Sequence, residues 1–553
     1  MSFSNSDWSA QVQKELKGLP VSALYQQNVS DIVHKVLYHQ SPIHHVVPKI
    51  EMGWKRAQFL SHPNSDSPAN TQEFLQEMGR ESIHNGVELL VGDASLLSIS
   101  IDGFKRISLS KWDDVCTHIQ QFDQQSSLHW DGFANCFLTK SGQPFEESQF
   151  LHQQSSVYPL TIDLNIAHMA GATPIQELGI ALATLAEWSR VLPSNDWLSK
   201  VWFDVSIDTH LFENTSKLRA LRRLVTVFQE EAGLNAGKNF SENVSKEQTQ
   251  IFHIHARSSK RMMTVYAQDV NLLRIVNSTI ASIWGGADSI LTLPHDCLTG
   301  EFSSQSLKIA RNIQNVLAEE SQLGNWLDPL SGSFYIESLT EELCEKAWEY
   351  FLEIEKQGGL LASMKNGWLY QELDQSLQKR QQFVFAKKLP ITGVSLYPDL
   401  TETPPQKALP QFSTPYLQMK RDAQAIEEIR MLWESQKQPH VQLFTLGSIK
   451  EWKARGDFAQ QFFAIFGWEV EVIDAISDAV GDILCICGAQ SSYEALSEIA
   501  HSLKEQSPKT LLLLAGKHEQ AFDNTLLEIF SGMNFMDKYH EMIDALSEKQ
   551  EGK

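Results

Sequence analysis

The sequence predicts an α/β protein: a (β/α)8 TIM barrel over residues 45–388, followed by a flavodoxin-like α/β domain over residues 438–553. Three observations carry this expectation. Between about residues 45 and 385, short apolar runs alternate with longer helical patterns, as parallel strands joined by crossover helices do. Beyond a proline-dotted stretch, a second, shorter set of apolar runs begins, again with helical patterns between them. At 553 residues the chain is several times one typical domain, so at least two hydrophobic cores are expected.

Residues 1–44 read as an N-terminal arm, in which Trp8, Val12 and Leu16 stand four apart and Gly18 ends a short amphipathic helix. In the barrel region the expected strands are Glu88–Val91, Leu97–Ile101, Leu160–Ile166, Val201–Ile207, Ile251–His255 and Ser289–Leu293. Residues 389–437 form a linker or belt, because Pro390, Pro398, Pro404, Pro405, Pro410 and Pro415 punctuate a stretch of low apolar periodicity. Val441–Leu446, Glu469–Ile473, Asp482–Cys487 and Thr510–Leu514 then read as buried strands, with Phe530–Phe535 as a short fifth. The charged tail from Ser547 is expected to fray.

Composition narrows the function classes. A formal net charge of −22 argues against the clustered cations that counterion release needs, so nucleic acid is not an expected partner. The first thirty residues contain no Arg and no basic start leading into an apolar run, which disfavours a secretory signal or a transit peptide. No apolar stretch approaches about 18 residues, so no membrane span is expected. Six Cys in so long a chain make no disulfide framework, and Cys485-x-Cys487 reads as part of a buried, reduced strand. A cytoplasmic protein is the simplest reading.

The motifs say more. Asn271-Leu272-Leu273-Arg274, Ile283-Trp284-Gly285-Gly286-Ala287-Asp288-Ser289, Leu307–Asn312 (L-K-I-A-R-N), Glu319-Glu320-Ser321 and Asp328–Thr340 (D-P-L-S-G-S-F-Y-I-E-S-L-T) follow one another within about a hundred residues. Upstream stand Ala170-Gly171-Ala172, with Ile175, Glu177 and Leu178 after it, and Lys217-x-Arg219-Ala220-x-Arg222. In order and spacing these resemble the methylmalonyl-CoA mutase family of B12-dependent acyl-CoA mutases, over most of the chain. The resemblance implies a barrel that closes around an acyl-CoA, and a cobalamin-binding-type second domain. There a radical formed from adenosylcobalamin reaches its substrate without meeting solvent.

The same resemblance marks departures. Catalytic members carry G-Y-H-x-Q before the A-G-A helix, its aromatic and His flanking the thioester; this chain reads Leu164-Asn165-Ile166-Ala167-His168. Asn165 takes the Tyr position, Ile166 the His position and His168 the Gln position, where a packed or solvated His near a barrel rim is expected. Members that hold cobalamin place D-x-H-x-x-G after the first strand of the second domain; the His ligates cobalt and the Asp orients it. Anchored on Gly456, the motif here is Glu451-Trp452-Lys453-Ala454-Arg455-Gly456. Lys453 stands at the axial position, and a protonated ammonium has no lone pair for a metal. Trp452 is bulky where the family has Gly, and Gly488-Ala489-Gln490-Ser491 and Ala515-Gly516-Lys517 keep only part of the Gly/Ser-rich lining expected around the nucleotide tail.

The resemblance therefore implies a small, non-catalytic subunit with a degenerate cobalamin-binding-like domain. It has no catalytic, cofactor-binding or metal residue of its own, and it assembles with a catalytic large subunit that holds adenosylcobalamin and interconverts succinyl-CoA and methylmalonyl-CoA. The alternative is a catalytic acyl-CoA mutase with an altered cobalamin site. Rival signals are blander. His253 and His255 alternate on one strand face as zinc ligands of barrel hydrolases do, but they fall within the family's H-x-Q-x-S stretch, here His255-Ala256-Arg257-Ser258-Ser259. His34, His39, His44 and His45 fit no standard metal spacing. Gly285-Gly286 and Gly358-Gly359 read as a helix-to-strand turn and a helix C-cap. Lys217, Arg219, Arg222 and Arg223 read as a solvated helix face rather than a CoA phosphate site.

Overall fold

A computed structural model describes residues 11–16, 19–35, 38, 53–59, 84, 89–92, 104–109, 126–130, 157–158, 160–192, 197–232, 252–299, 303–402, 417–489, 509–517 and 526–551. They divide into two compact units, one drawn from 1–263, 271–378 and 409–421 and the other from 264–270, 379–408 and 422–553. Both are mixed α/β with parallel sheets. No helix among the described residues is long and apolar enough to cross a membrane.

In the first unit, β1 (Gln26–Gln27) and β2 (Val33–His34) form a small antiparallel pair. The other strands run parallel: β3 (Lys55–Phe59), β4 (Leu89–Gly92), β5 (Phe104–Leu109), β6 (Ser126–Trp130), β7 (Val157–Tyr158), β8 (Leu160–Asp163), β9 (Val201–Ile207), β10 (His253–Ser258) and β11 (Ser289–Leu291). Their order is β7-β6-β5-β4-β3-β11-β10-β9-β8, and only Pro159 separates the two outermost pieces in sequence. The register Asp163↔Asp204, Asp204↔His255 and His255↔Ser289 carries one sheet face across β8, β9, β10 and β11. β8 and β9 are buried along their whole length, as strands covered on both faces are.

Helices follow the strands: α1 (Asn165–Met169) and α2 (Pro174–Val191) after β8, α3 (Leu211–Glu231) after β9, and α4 (Gln268–Trp284) after β10. After β11 come α5 (Ser304–Asn315), α6 (Phe334–Lys356), α7 (Leu360–Lys365) and α8 (Trp368–Phe385). Helix α2 starts where Thr173 Oγ1 accepts from Gln176 N at 3.3 Å and Gln176 Oε1 accepts from Thr173 N at 3.0 Å, with Pro174 in the first turn. The A-G-A turn before it requires Gly171. Its φ is +98°, and a Cβ there would lie 2.5 Å from Leu377 Cβ and 2.6 Å from Leu377 Cα. The core joins Ile162, Phe203, Val205 and Ile254 of the strands to Leu182, Leu218, Leu221 and Leu343 of the helices.

In the second unit, β12 (Val441–Thr445), β13 (Val470–Ile473), β14 (Ile483–Cys487), β15 (Leu511–Ala515) and β16 (Leu527–Ile529) form one parallel sheet in the order β13-β12-β14-β15-β16. Along the chain this is 2-1-3-4-5, the order of doubly wound sheets of flavodoxin type. Helices α9 (Gln424–Glu434), α10 (Ile449–Ala464) and α11 (Phe535–Glu551) accompany it. Trp468 is fully buried among the rings of Trp433, Phe463, Phe466 and Tyr539.

Several expected ends shift for local reasons. Leu160–Ile166 stops as a strand at Asp163, whose Oδ1 accepts from Asn165 N at 2.8 Å and turns the chain into α1. Ile251–His255 moves to His253–Ser258. The fifth strand of the second unit is Leu527–Ile529, not Phe530–Phe535, because Asn534 Oδ1 accepts from Met536 N at 3.0 Å and starts α11 there. That helix runs to Glu551, past Ser547, where fraying was the expectation, and Lys549 Nζ bonds Thr510 O. β3, β5, β6 and β7 match no expected strand: Lys55, Arg56, Lys105, Arg106, Ser126, Ser127 and His129 break the apolar pattern, and β7 is only two residues long. Residues 11–15 are helical, while Trp8 and Leu97–Ile101 lie outside the described residues.

Candidate functional site

At the end of β8, the start of α1 and the C-terminal halves of β9 and β10 the structure gathers Asp163, Asn165, Asp204, Ser206 and Arg257. Arg257 Nη2 lies 3.1 Å from Asp163 Oδ1, and its Nε lies 3.4 Å from Asp204 Oδ1. Asn165 Oδ1 accepts from Ser206 Oγ at 2.6 Å, and Ile166 is half-buried against the core. Sequence reasoning missed Arg257. The signal was present, since Arg257 occupies the Gln place of H-x-Q-x-S, but its importance depends on two carboxylates that neighbouring strands bring to it.

Behind this rim lies a sealed charged network. His168 Nδ1 is 2.7 Å from Glu177 Oε1, and His168 Nε2 is 2.7 Å from Ser259 Oγ. Lys217 Nζ donates to Glu177 Oε2 at 2.9 Å and to Ser206 O at 2.7 Å. Arg261 completes it, bonding Asp208 Oδ2 at 3.0 Å and His168 O at 2.7 Å. Burial, with the Arg261 charge added, pushes His168 down to about 4, so the ring is neutral near pH 7. Its Nδ1–H therefore donates to Glu177, and its Nε2 accepts from Ser259. Burial raises the Glu177 carboxyl, but Lys217 and His168 outweigh it and hold the group below its usual value.

Ser259, His168 and Glu177 have the spacing of a hydroxyl–imidazole–carboxylate triad. Their relative exposures are 0%, 1% and 0%, and Lys217 is bound to the carboxylate, so no substrate reaches the hydroxyl. The arrangement ties the A-G-A turn to β9 and to the segment after β10. His168 is packed, with both ring nitrogens bonded.

The expectation of a solvated cationic face on α3 is overturned. Lys217, Arg219 and Arg222 are buried, and Arg219 binds Asp328 and, at 2.7 Å, Glu337. Arg222 meets Asp288 at 3.1 Å, and Arg223 pairs with Glu341. The spacing of the cations is legible in sequence; their acids come from far along the chain. His253 and His255 face the same side, as alternation predicts, and both converge on Ser289 Oγ, at 2.8 and 2.6 Å. Trp202 stacks on His253 with ring centres 3.6 Å apart. His34 Nδ1 bonds Tyr335 OH at 2.9 Å, while His39, His44 and His45 lie outside the described residues. Gly286, Gly358 and Gly359 take positive φ at helix ends.

In the second unit, Glu451, Lys453 and Gly456 all lie within α10. Glu451 Oε2 accepts from Ser448 N at 2.6 Å and from Ser448 Oγ at 2.8 Å, capping the helix. The bonds from Ser448 hold the Glu451 carboxyl below its usual value. Lys453 Nζ points to Asp457 Oδ1 at 2.6 Å, and the side chains are 57% and 45% exposed. Gly456 lies beneath Trp452, whose Cε3 would be 2.9 Å from a Cβ at that position.

Comparison with known proteins adds the following. The family model for methylmalonyl-CoA mutase matches residues 150–458, more than half of the chain. The methylmalonyl-CoA mutase small subunit of Streptomyces virginiae is 32% identical over 386 residues, covering 66% of this chain and 60% of its own length. That of Propionibacterium freudenreichii subsp. shermanii is 31% identical over 414 residues, covering 70% of this chain and 63% of its own. The methylmalonyl-CoA mutase of Rhizobium meliloti is 28% identical over 375 residues, covering 65% and 49%. The matched part of this chain thus spans less than two thirds of these relatives.

Proposed function

We infer, from the premise that this chain belongs to the methylmalonyl-CoA mutase family, that it is a non-catalytic small subunit supporting a catalytic large subunit. In this reading residues 45–388 make a closed (β/α)8 barrel. The strand order supports closure: β7 and β8, one residue apart in sequence, stand at the two ends of the order, and β3 pairs with β11, so counting β7 and β8 together gives eight strands for a ring. Residues 438–553 are a degenerate cobalamin-binding-type domain, and residues 1–44 are an arm for the partner.

One observation carries the reading. The residue at the cobalt-ligand position, Lys453, is an exposed ammonium in an i,i+4 ion pair, and Glu451, at the place of the orienting carboxylate, is spent on a helix cap. These residues do not fit adenosylcobalamin, so it is assigned to the partner. Arg257, pinned by Asp163 and Asp204, and the sealed His168 give support from the first unit. The relatives named small subunits supply the expectation of a partner.

The test is a titration of the purified chain with adenosylcobalamin and hydroxocobalamin, read by visible absorbance and gel filtration. No corrin co-migrates if the reading holds, and mixing with the large subunit gives a 1:1 complex that turns over methylmalonyl-CoA. Stoichiometric corrin on the chain alone would refute it in favour of a mutase with an altered cobalamin site.

A further inference from the structure

In doubly wound sheets, ligands bind in the crevice outside the carboxyl ends of the strands, where the strand order reverses. Here the reversal falls between β12 and β14, and the loop carbonyls and glycines that would line the crevice are Gly488, directly after β14, and Gly516, directly after β15. A side chain already lies there. Arg455, on the helix that follows β12, donates from Nη1 to Gly488 O at 2.7 Å. Its guanidinium also lies close to Gly516: a Cβ at that position would be 3.3 Å from Arg455 Cζ and 3.3 Å from Nε. Gly516 has φ +131° and is held from the other side by its N–H bond to Ile529 O at 2.8 Å. One arginine thus spans from the first strand's helix to the ends of the third and fourth strands.

We propose that Arg455 is an internal stopper that fills the strand-end crevice of the second unit. The crevice is closed by the chain's own side chain, and loss of the axial histidine is only half of why a nucleotide-bearing corrin does not enter. This deepens the reading that the chain holds no cobalamin, and it rests on that reading. It also explains two residues that the degenerate motif leaves over. Gly516 suits its place because its φ of +131° disfavours other residues and a Cβ there would crowd the guanidinium, and Arg455, two residues beyond Lys453, reaches the place where a nucleotide tail would lie.

Cys487 reports on the stopper. It is fully buried at the end of β14, next to the Gly488 carbonyl that Arg455 holds, while Cys485 lies two residues further into the same strand. In the full-length chain, iodoacetamide labelling would be followed peptide by peptide in wild type, Arg455→Ala and Arg455→Lys. Loss of a charge-assisted hydrogen bond raises a local opening equilibrium about tenfold or more, so Cys487 labels faster by that factor in Arg455→Ala and less so in Arg455→Lys. Cys485 keeps its wild-type rate. Unchanged Cys487 labelling in both variants overturns the stopper, as does equal acceleration of Cys485 and Cys487, which marks general loosening. Hydroxocobalamin retained by Lys453→His with Arg455 in place would overturn it too. Labelling is independent of the corrin titration of the wild-type chain, so failure of the stopper and failure of the non-binding reading are told apart.

Discussion

Replacing Lys217 with Met tests whether the network behind the strand ends is structural. Lys217 and Glu177 are each 1% exposed, and the lysine serves two acceptors, Glu177 Oε2 at 2.9 Å and Ser206 O at 2.7 Å. Removing it leaves the Glu177 carboxylate in a low-dielectric interior with a neutral imidazole as its remaining close partner in the network. Breaking one side of a buried pair costs about 3–5 kcal/mol, whereas removing both charges together is far milder. Lys217→Met is therefore expected to lose about 3–5 kcal/mol, and Glu177→Gln/Lys217→Met to recover at least half of that. Urea unfolding followed by tryptophan fluorescence measures both. A Lys217→Met loss below about 1 kcal/mol, or a double variant no better than the single, refutes the argument that the buried charges are coupled.

Further outcomes follow from the same geometry. The folded-state pKa of His168, about 4, lies below the ordinary value of 6.5, so its contribution is present above pH 6.5 and is lost as pH falls toward 4. Thermal midpoints of wild type and His168→Gln should converge across that window, and parallel curves would contradict the assignment. Gly171→Ala meets both a positive φ and the Leu377 backbone, and is expected to cost about 3 kcal/mol or more by the same urea assay. Lys453→Ala removes only an exposed i,i+4 pair, so the melting temperature should move by no more than about 1–2 °C and turnover of the assembled complex should stay at wild-type level. Deleting the first 18 residues should weaken assembly with the large subunit, measured by gel filtration.

The sequence was most informative where a pattern is local. β14 and β15 stand out as unbroken apolar runs, Val201–Ile207 is apolar but for Asp204 and Ser206, and the helix-end glycines read correctly because their φ follows from local chain geometry. It was least informative where partners are distant. The cations of α3 look solvated until Asp288, Asp328, Glu337 and Glu341 are folded onto them, and Arg257 is one more polar residue until Asp163 and Asp204 arrive beside it. Likewise, the spacing of Glu451, Lys453 and Gly456 identifies the altered motif but does not reveal that Glu451 caps a helix already under way at Ile449.

Arg257 also bears on how such a chain can change over time. Asp163 and Asp204 are in-register partners on adjacent strands, and the guanidinium lies against both. Replacing Arg257 with a neutral amide in one step would leave two carboxylates facing each other across neighbouring strands, which raises the pKa of one and lowers stability. Such a replacement becomes tolerable only if an acid changes first, and that step on its own strips Arg257 of a partner. Each single change is opposed by the other residues, so the strand-end trio is epistatically coupled: its three members can be exchanged only together, even where no selection acts on activity.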